Sequence, residues 1–295
     1  MLGLLLTLAL LAPQDTLLVT ADWLRANIAR SDLVVVHTDF GRAEYDRGHI
    51  PGAHFADLMS LHGEHGEDQL LPPERLLAAV EAAGVSNRHR VVLVGSPMNT
   101  ALVFVVLDYL GHGDRTSVLD GGRAAWTAAG GKLSTEPVTP APARFEPAVR
   151  RDMVVTADWI AARLESPDLA LLDARTKAEY DGTSAVGGLA RPGHIPGARH
   201  LDWLATLDAP SATGAAAGDN DPAAARLRPR PELQRLFQQA GATGQSQVVT
   251  YCTVGMRASH LYFVARLLGY EPKLYVGSMA DWSPRERLPV VGPAR

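Results

Sequence analysis

The same ordered set of short motifs occurs twice along the 295 residues. Val19-Thr20-Ala21-Asp22-Trp23-Leu24 returns 136 positions later as Val155-Thr156-Ala157-Asp158-Trp159-Ile160. Ala43-Glu44-Tyr45-Asp46 returns as Ala178-Glu179-Tyr180-Asp181, and Gly48-His49-Ile50-Pro51-Gly52-Ala53 returns as Gly193-His194-Ile195-Pro196-Gly197-Ala198 after a longer insertion. Val91-Val92-Leu93-Val94 matches Val248-Val249-Thr250-Tyr251. The order is kept and the period is that of a whole domain, so the chain is a duplicated domain rather than a solenoid of short units.

Within each copy, short apolar runs predict strands at Leu33 to Val36 and Val91 to Val94, then at Leu169 to Leu172 and Val248 to Tyr251. They alternate with helical patterns such as Pro73 to Ala83 and Glu232 to Ala240. Alternating strands and helices predict an α/β fold of two tandem domains, each a central, mostly parallel sheet flanked by helices. Functional groups then belong at the carboxyl ends of the strands. The stretch 135–151 carries four prolines and reads as an extended, semi-rigid linker between domains spanning 15–134 and 152–295. Asp208 to Pro231, rich in Ala, Gly, Asp and Pro, reads as a surface insertion in the second copy.

Cys252 is the only cysteine, and it sits where the strand Gln247 to Tyr251 gives way to a glycine-containing loop and a helical pattern from Ala258 to Leu268. A lone thiol serves neither a disulfide framework nor a zinc site. In a strand–loop–helix arrangement, loop amides and the helix N-terminus face the inside of the loop, a setting that suits an anion and activates a thiol. Arg257 adds a positive charge five residues on. Cys252 is therefore a candidate nucleophile, against the plainer reading of a buried packing thiol. Aligning the copies puts Gly95 opposite Cys252 and Gly95 to Thr100 opposite the loop, so the first copy has neither thiol nor arginine. Its expected role is structural, and Ser96 reads as a turn residue.

Composition narrows the partners. Hydrophobic residues make up 46% of the chain, enough for two cores, and the formal net charge of -4 gives no argument for nucleic acid or an acidic membrane. Residues 1–14 begin with an apolar run that resembles a secretory signal core and is too short to span a bilayer. The run lacks a basic start, and Pro13 is a poor cleavage context. Export to the periplasm or beyond is the expectation, with a cytoplasmic protein bearing a disordered leader as the alternative. No stable membrane insertion is expected.

These residues resemble the rhodanese superfamily, and within it the tandem-domain sulfurtransferases. The resemblance rests on the Gly-His-Ile-Pro-Gly-Ala element in both halves, on Leu172-Asp173-Ala174-Arg175, on the loop Cys252 to Arg257, and on Gly277-Ser278-Met279-Ala280-Asp281-Trp282 near the end. It covers nearly everything after about residue 15. It implies a catalytically silent first domain and a second domain whose cysteine takes a sulfane sulfur from thiosulfate and passes it on to cyanide or a thiol. Cys252 becomes that carrier, and Thr253, Val254, Gly255, Met256 and Arg257 become the loop that holds the extra sulfur, with Arg257 also drawing in the anionic donor. Only a small-molecule donor and acceptor are implied, with no cofactor and no metal.

Departures from the pattern bear on the donor. Thr253-Val254-Gly255-Met256-Arg257 matches neither the loop usual in thiosulfate enzymes nor that of 3-mercaptopyruvate enzymes, and Glu179 stands where many two-domain members carry a donor-binding arginine. A 3-mercaptopyruvate sulfurtransferase is the near alternative. Asp173 and Arg175 read as a structural ion pair at a strand end, or else as donor-recognition groups. His194 matches His49 in a copy without a nucleophile, which favours a positional role over that of a base. Trp126 and Trp282 read as packing. Should Arg257 merely begin the helix and face solvent, donor recognition moves to the insertion around Arg191 or to the facing surface of the first domain. In other classes stand a persulfide-binding sensor without turnover and a cysteine phosphatase. The latter is disfavoured because four residues, not five, separate Cys252 from Arg257.

Overall fold

Thr20 and Thr156 open the two halves in the same way, each hydroxyl oxygen accepting the backbone N–H of a tryptophan three residues on, Trp23 at 3.1 Å and Trp159 at 3.2 Å. These are N-caps, and the repeated Thr-Ala-Asp-Trp motif owes its spacing to them. The computed structural model describes residues 17–61, 70–184, 188–208 and 224–293. The expected leader, 1–14, lies outside the described residues.

The first half runs β1 (Leu18–Val19), α1 (Ala21–Asn27), β2 (Leu33–Asp39), α2 (Ala43–Arg47), β3 (His54–Asp57), α3 (Pro73–Ala82), β4 (Arg90–Val94), α4 (Pro97–Tyr109), β5 (Thr116–Leu119) and α5 (Gly122–Ala128). The second runs α6 (Ala157–Ala161), β6 (Leu169–Asp173), α7 (Lys177–Tyr180), β7 (Arg199–His200), α8 (Arg230–Gln239), β8 (Gln247–Tyr251), α9 (Met256–Leu268), β9 (Lys273–Leu274) and α10 (Ser278–Trp282). Among the described residues the strands form two all-parallel sheets, ordered β1-β5-β4-β2-β3 and β7-β6-β8-β9. The place of β1 is taken in the second half by a parallel bridge from Val154 to Leu274. The α/β fold of two parallel sheets flanked by helices is the one the sequence predicts. The second strand runs three residues beyond the expected Val36, and the helices differ from the predicted bounds by one or two residues at their ends.

Three apolar clusters organise the molecule. Val92 and Val94 point to an outer core of the first domain with Leu24 and Trp126, and Val249 and Tyr251 to an outer core of the second with Ile160 and Trp282. Alternate residues, including Val91, Leu93 and Val248, enter a third cluster shared by both halves. Strands buried on both faces require such unbroken apolar runs. Trp126 and Trp282 therefore pack within their own domains.

The shared cluster is built around α4 and α9, which follow β4 and β8 and are buried on nearly every face. Phe104 meets Phe263 edge to face at 4.9 Å. At the end of the same interface the buried Asp108 carboxylate accepts from Tyr262 Oη at 2.7 Å, Arg266 Nε at 2.9 Å and Arg150 Nη1 at 2.5 Å. A buried carboxylate with three donors is satisfied, which fixes the register of one domain on the other.

The linker has no regular structure from Glu136 to Arg150, yet it is fastened to the first domain. Phe145 is buried against His112, Ala148 N donates to Leu110 O, and Arg150 N donates to Tyr109 O. The insertion reads differently from the expectation at its C-terminal end. Residues 209–223 lie outside the described residues, but Ala225 is buried and Leu227 N donates to Asp120 Oδ1 of the first domain at 3.0 Å. That end is an interdomain contact, and α8 begins at Arg230 rather than Glu232. Among the described residues no helix is long and apolar enough to cross a membrane.

Candidate active site

Cys252 follows the last residue of β8, at the carboxyl edge of the second sheet, and is buried with 1% of its surface exposed. Its loop closes at Gly255, whose φ of 92° lies in the left-handed region that favours glycine. This turn aims the Gly255 N–H at the sulfur, 3.1 Å from Sγ. Gly255 is also the N-cap residue of α9, so the sulfur sits at the positive end of a 13-residue helix. A thiolate at this spot would face a backbone N–H and the positive end of the helix, both of which favour its charge.

The cysteine backbone is pinned by the start of α10. Ser278 Oγ accepts the Cys252 N–H at 3.0 Å and donates to Tyr275 O at 2.9 Å, while Met279 N donates to Cys252 O and Ala280 N to Thr253 O. Ser278 has φ 53°, and it is the one described non-glycine residue with positive φ. Such a conformation costs of order 1–3 kcal/mol and persists only where its surroundings hold it. Alignment on Trp126 and Trp282 places Gly122, also at φ 53°, opposite Ser278. The second half has thus put a side chain on a backbone shape that the first half fills with glycine. In the sequence alone Ser278 stands only within the Gly277 to Trp282 motif, and the repeat alignment with Gly122 is the signal that singles it out.

Arg257, in the first turn of α9, does not stand as a free cation. Its Nη1 and Nη2 donate to the two carboxylate oxygens of Glu179 at 2.7 and 2.8 Å, and Nη2 also donates to Thr253 Oγ1 at 2.9 Å. Burial works against the guanidinium charge, but Glu179 and the nearby Cys252 sulfur outweigh it and hold the Arg257 pKa above its usual range. Burial likewise works against the Glu179 charge, and Arg257 and Thr176 outweigh it, bringing that pKa down to about 2. Glu179 is fixed from behind by a capping box: its Oε2 accepts Thr176 N at 3.1 Å and Thr176 Oγ1 at 2.8 Å. Arg257 is thus a positive charge near the sulfur, as expected, and the place noted for lacking an arginine supplies its counter-ion.

Asp173 and Arg175 come together as a fully buried pair at the end of β6, both with 0% of the side chain exposed. Arg175 Nε and Nη2 bind the Asp173 oxygens, at 2.9 Å for Nε to Oδ1 and 2.6 Å for Nη2 to Oδ2, and Nη2 also reaches Gly193 O at 2.8 Å. This fastens the Gly-His-Ile-Pro-Gly loop to the strand, the geometry of the structural alternative. His194 stacks on Tyr180 with ring centroids 3.7 Å apart and bonds through Nδ1 to Tyr180 O, as His49 stacks on Tyr45 at 3.9 Å and bonds to Tyr45 O. The identical arrangement in both halves is positional. Arg191 donates to the backbone oxygens of Ser283, Arg285 and Leu288, all at 2.8 Å, so its N–H groups are engaged in fastening the C-terminal segment. Val254 and Met256 are half-buried in the loop.

In the first half, Gly95 holds the place of Cys252. A Cβ there would lie 2.5 Å from Thr38 Oγ1 and 2.6 Å from Thr38 O, so no side chain fits without moving β2. Ser96 Oγ caps α4 by accepting Asn99 N at 3.3 Å.

Known proteins resemble the chain along most of its length. The pattern of the rhodanese-like domain matches residues 20–129 and again 156–285. A probable 3-mercaptopyruvate sulfurtransferase of Pseudomonas aeruginosa is 33% identical over 292 residues, covering 92% of this chain and 97% of that one. A thiosulfate sulfurtransferase of Corynebacterium glutamicum is 31% identical over 288 residues, covering 92% and 89%. Among solved structures, an anaerobic ergothioneine biosynthesis enzyme from Chlorobium limicola, in complex with trimethyl histidine, superposes with a TM-score of 0.78 at 25% identity, over 96% of this chain and 71% of that one. With both halves matched and relatives of this closeness spanning nearly the whole length, the chain belongs to the rhodanese family and is a tandem-domain sulfurtransferase.

Proposed function

We propose that Cys252 is the sulfur carrier: it takes a sulfane sulfur from thiosulfate or a related small donor and passes it to a thiophilic acceptor such as cyanide or a thiol. The observation that supports this most is the Cys252 sulfur, set at the N-terminus of α9 with the Gly255 N–H 3.1 Å away. In the first step the thiolate attacks the outer sulfur of thiosulfate. An Sγ–S bond forms, the S–S bond of the donor breaks, and sulfite leaves with the electron pair. In the second step cyanide attacks the outer sulfur of the persulfide, thiocyanate forms, and the thiolate returns. The Gly255 N–H and the helix dipole serve the charge on both sulfurs.

The first domain, on this reading, does no covalent chemistry, because Gly95 leaves no room for a nucleophile and Ser96 is used as a helix cap. It supplies α4 as the wall against which α9 packs. Multiple turnover of thiosulfate with cyanide, measured beside 3-mercaptopyruvate, tests the proposal. One sulfur bound per chain with no turnover would instead support a persulfide-binding sensor, and the ratio of the two kcat/KM values assigns the donor.

A further inference from the structure

Arg257 and Glu179 form a buried bidentate pair beside the reactive sulfur, with Glu179 only 4% and Arg257 22% exposed. Five hydrogen bonds converge on that one carboxylate: two from Arg257, two from Thr176, and one from Thr253 Oγ1 at 3.4 Å. A carboxylate so fully held does not swing aside when a second anion approaches. Asp202, half-buried and raised in pKa mainly by burial, lies within electrostatic reach of His200, Arg257 and Glu179. The neighbouring Asp173 is cancelled by Arg175. The Arg257 guanidinium is thus matched by Glu179 and the reactive sulfur, so among the described residues it leaves no surplus positive charge at this wall for a donor.

Resting on the sulfur-carrier reading, we infer that Glu179 is a specificity-determining residue: it occupies the guanidinium that a dianionic donor needs and turns the site toward donors of low charge, organic persulfides above all. Thiosulfate carries two negative charges and meets like charge in this wall. An organic persulfide, R–S–SH, presents a terminal sulfur with at most one. Transfer from it is balanced without a co-reactant: the Cys252 thiolate bonds to the outer sulfur, the donor S–S bond breaks, and the thiolate R–S⁻ leaves with the electron pair. Thiosulfate remains usable through the amides of the loop, at a rate that Glu179 holds down. The arrangement selects by an unfavourable contact with one donor class as much as by a favourable one with the other.

Single-turnover loading of the full chain, followed by intact mass, compares thiosulfate with cysteine persulfide and needs no acceptor. Glu179→Gln keeps the side-chain length and the capping box, in which Gln serves as well as Glu, and removes the charge. It is expected to raise the second-order rate of loading by thiosulfate roughly ten- to a hundredfold and to lower its half-saturating concentration. The rate with cysteine persulfide should change less than about threefold. A purely structural Glu179 would lower both rates together, and that result, or an unchanged thiosulfate rate, overturns the inference. Thr176→Ala removes one of the five bonds and keeps the charge, so it should raise the thiosulfate rate by less than Glu179→Gln does and leave the persulfide rate within about threefold. The wild-type chain gives an independent check. Added potassium chloride screens like charges, so it should speed loading by thiosulfate more than loading by the persulfide, whereas a free attracting arginine would make salt slow it. Failure of wild type to load from either donor strikes the sulfur-carrier reading itself, and the inference falls with it.

Discussion

At the end of β4 the first domain has Gly95, hemmed in by Thr38, and at the same place after β8 the second has Cys252 with a donor N–H on its sulfur. Gly122 and Ser278 share a φ of 53°, yet only the serine supplies an oxygen for the cysteine loop. In both halves the glutamate before the tyrosine binds an arginine, but from different elements. Glu44 meets Arg123 of α5 at 3.0 Å, whereas Glu179 meets Arg257 of α9 at 2.7 Å. The Tyr–His stacks and the threonine caps, by contrast, are the same twice over. Both copies keep these devices that build the fold, and they differ at the positions that face the sulfur.

The sharpest separation of the two halves is a pair of single substitutions. Cys252→Ser should abolish sulfurtransfer, while Ser96→Ala should leave turnover within a few-fold and cost only about 0.5–2 kcal/mol as a lost cap. A comparable loss from Ser96→Ala in steady-state assays would break the division of labour. Gly95→Cys is expected to lower stability by about 1–3 kcal/mol through overpacking against Thr38, seen as a lower denaturation midpoint, without adding a second sulfur site. Ser278→Ala leaves the positive φ but removes both hydroxyl bonds. It should cost about 1–2 kcal/mol and slow sulfur loading about tenfold, whereas Gly122→Ala in the silent half should cost similar stability and leave loading unchanged.

A further effect is one of pH. Glu179, at about 2 in the folded chain, is depressed below its ordinary 4.5, so its pairing contributes stability that is fully present above about pH 4.5 and lost as pH falls toward 2. Wild type should therefore lose stability faster than Glu179→Gln over that window in acid denaturation, and the two should run parallel above it.

Much of this was legible in the sequence because it is local or repeated. Motif order gave two domains, apolar runs gave β2, β4, β6 and β8, and the lone cysteine at a strand end marked the site. Strands of two residues, such as β1, β7 and β9, carry too little pattern to be read. What escaped was long-range pairing. Arg257 finds Glu179 across 78 residues, and Cys252 finds Ser278 across 26, and no periodicity encodes either bond. The insertion reads as surface because its composition is polar and small, while Ala225 and Leu227 close on the first domain by tertiary contact alone.

The central claim, that one half carries sulfur on Cys252 and the other carries none, is tested most directly by intact mass after incubation with donor alone. The expected product is a single addition of one sulfur, about 32 Da, that maps to Cys252, is removed by cyanide, and is absent from Cys252→Ser. Substantial turnover by Cys252→Ser, or no mass gain in wild type under conditions where it turns over, would contradict it.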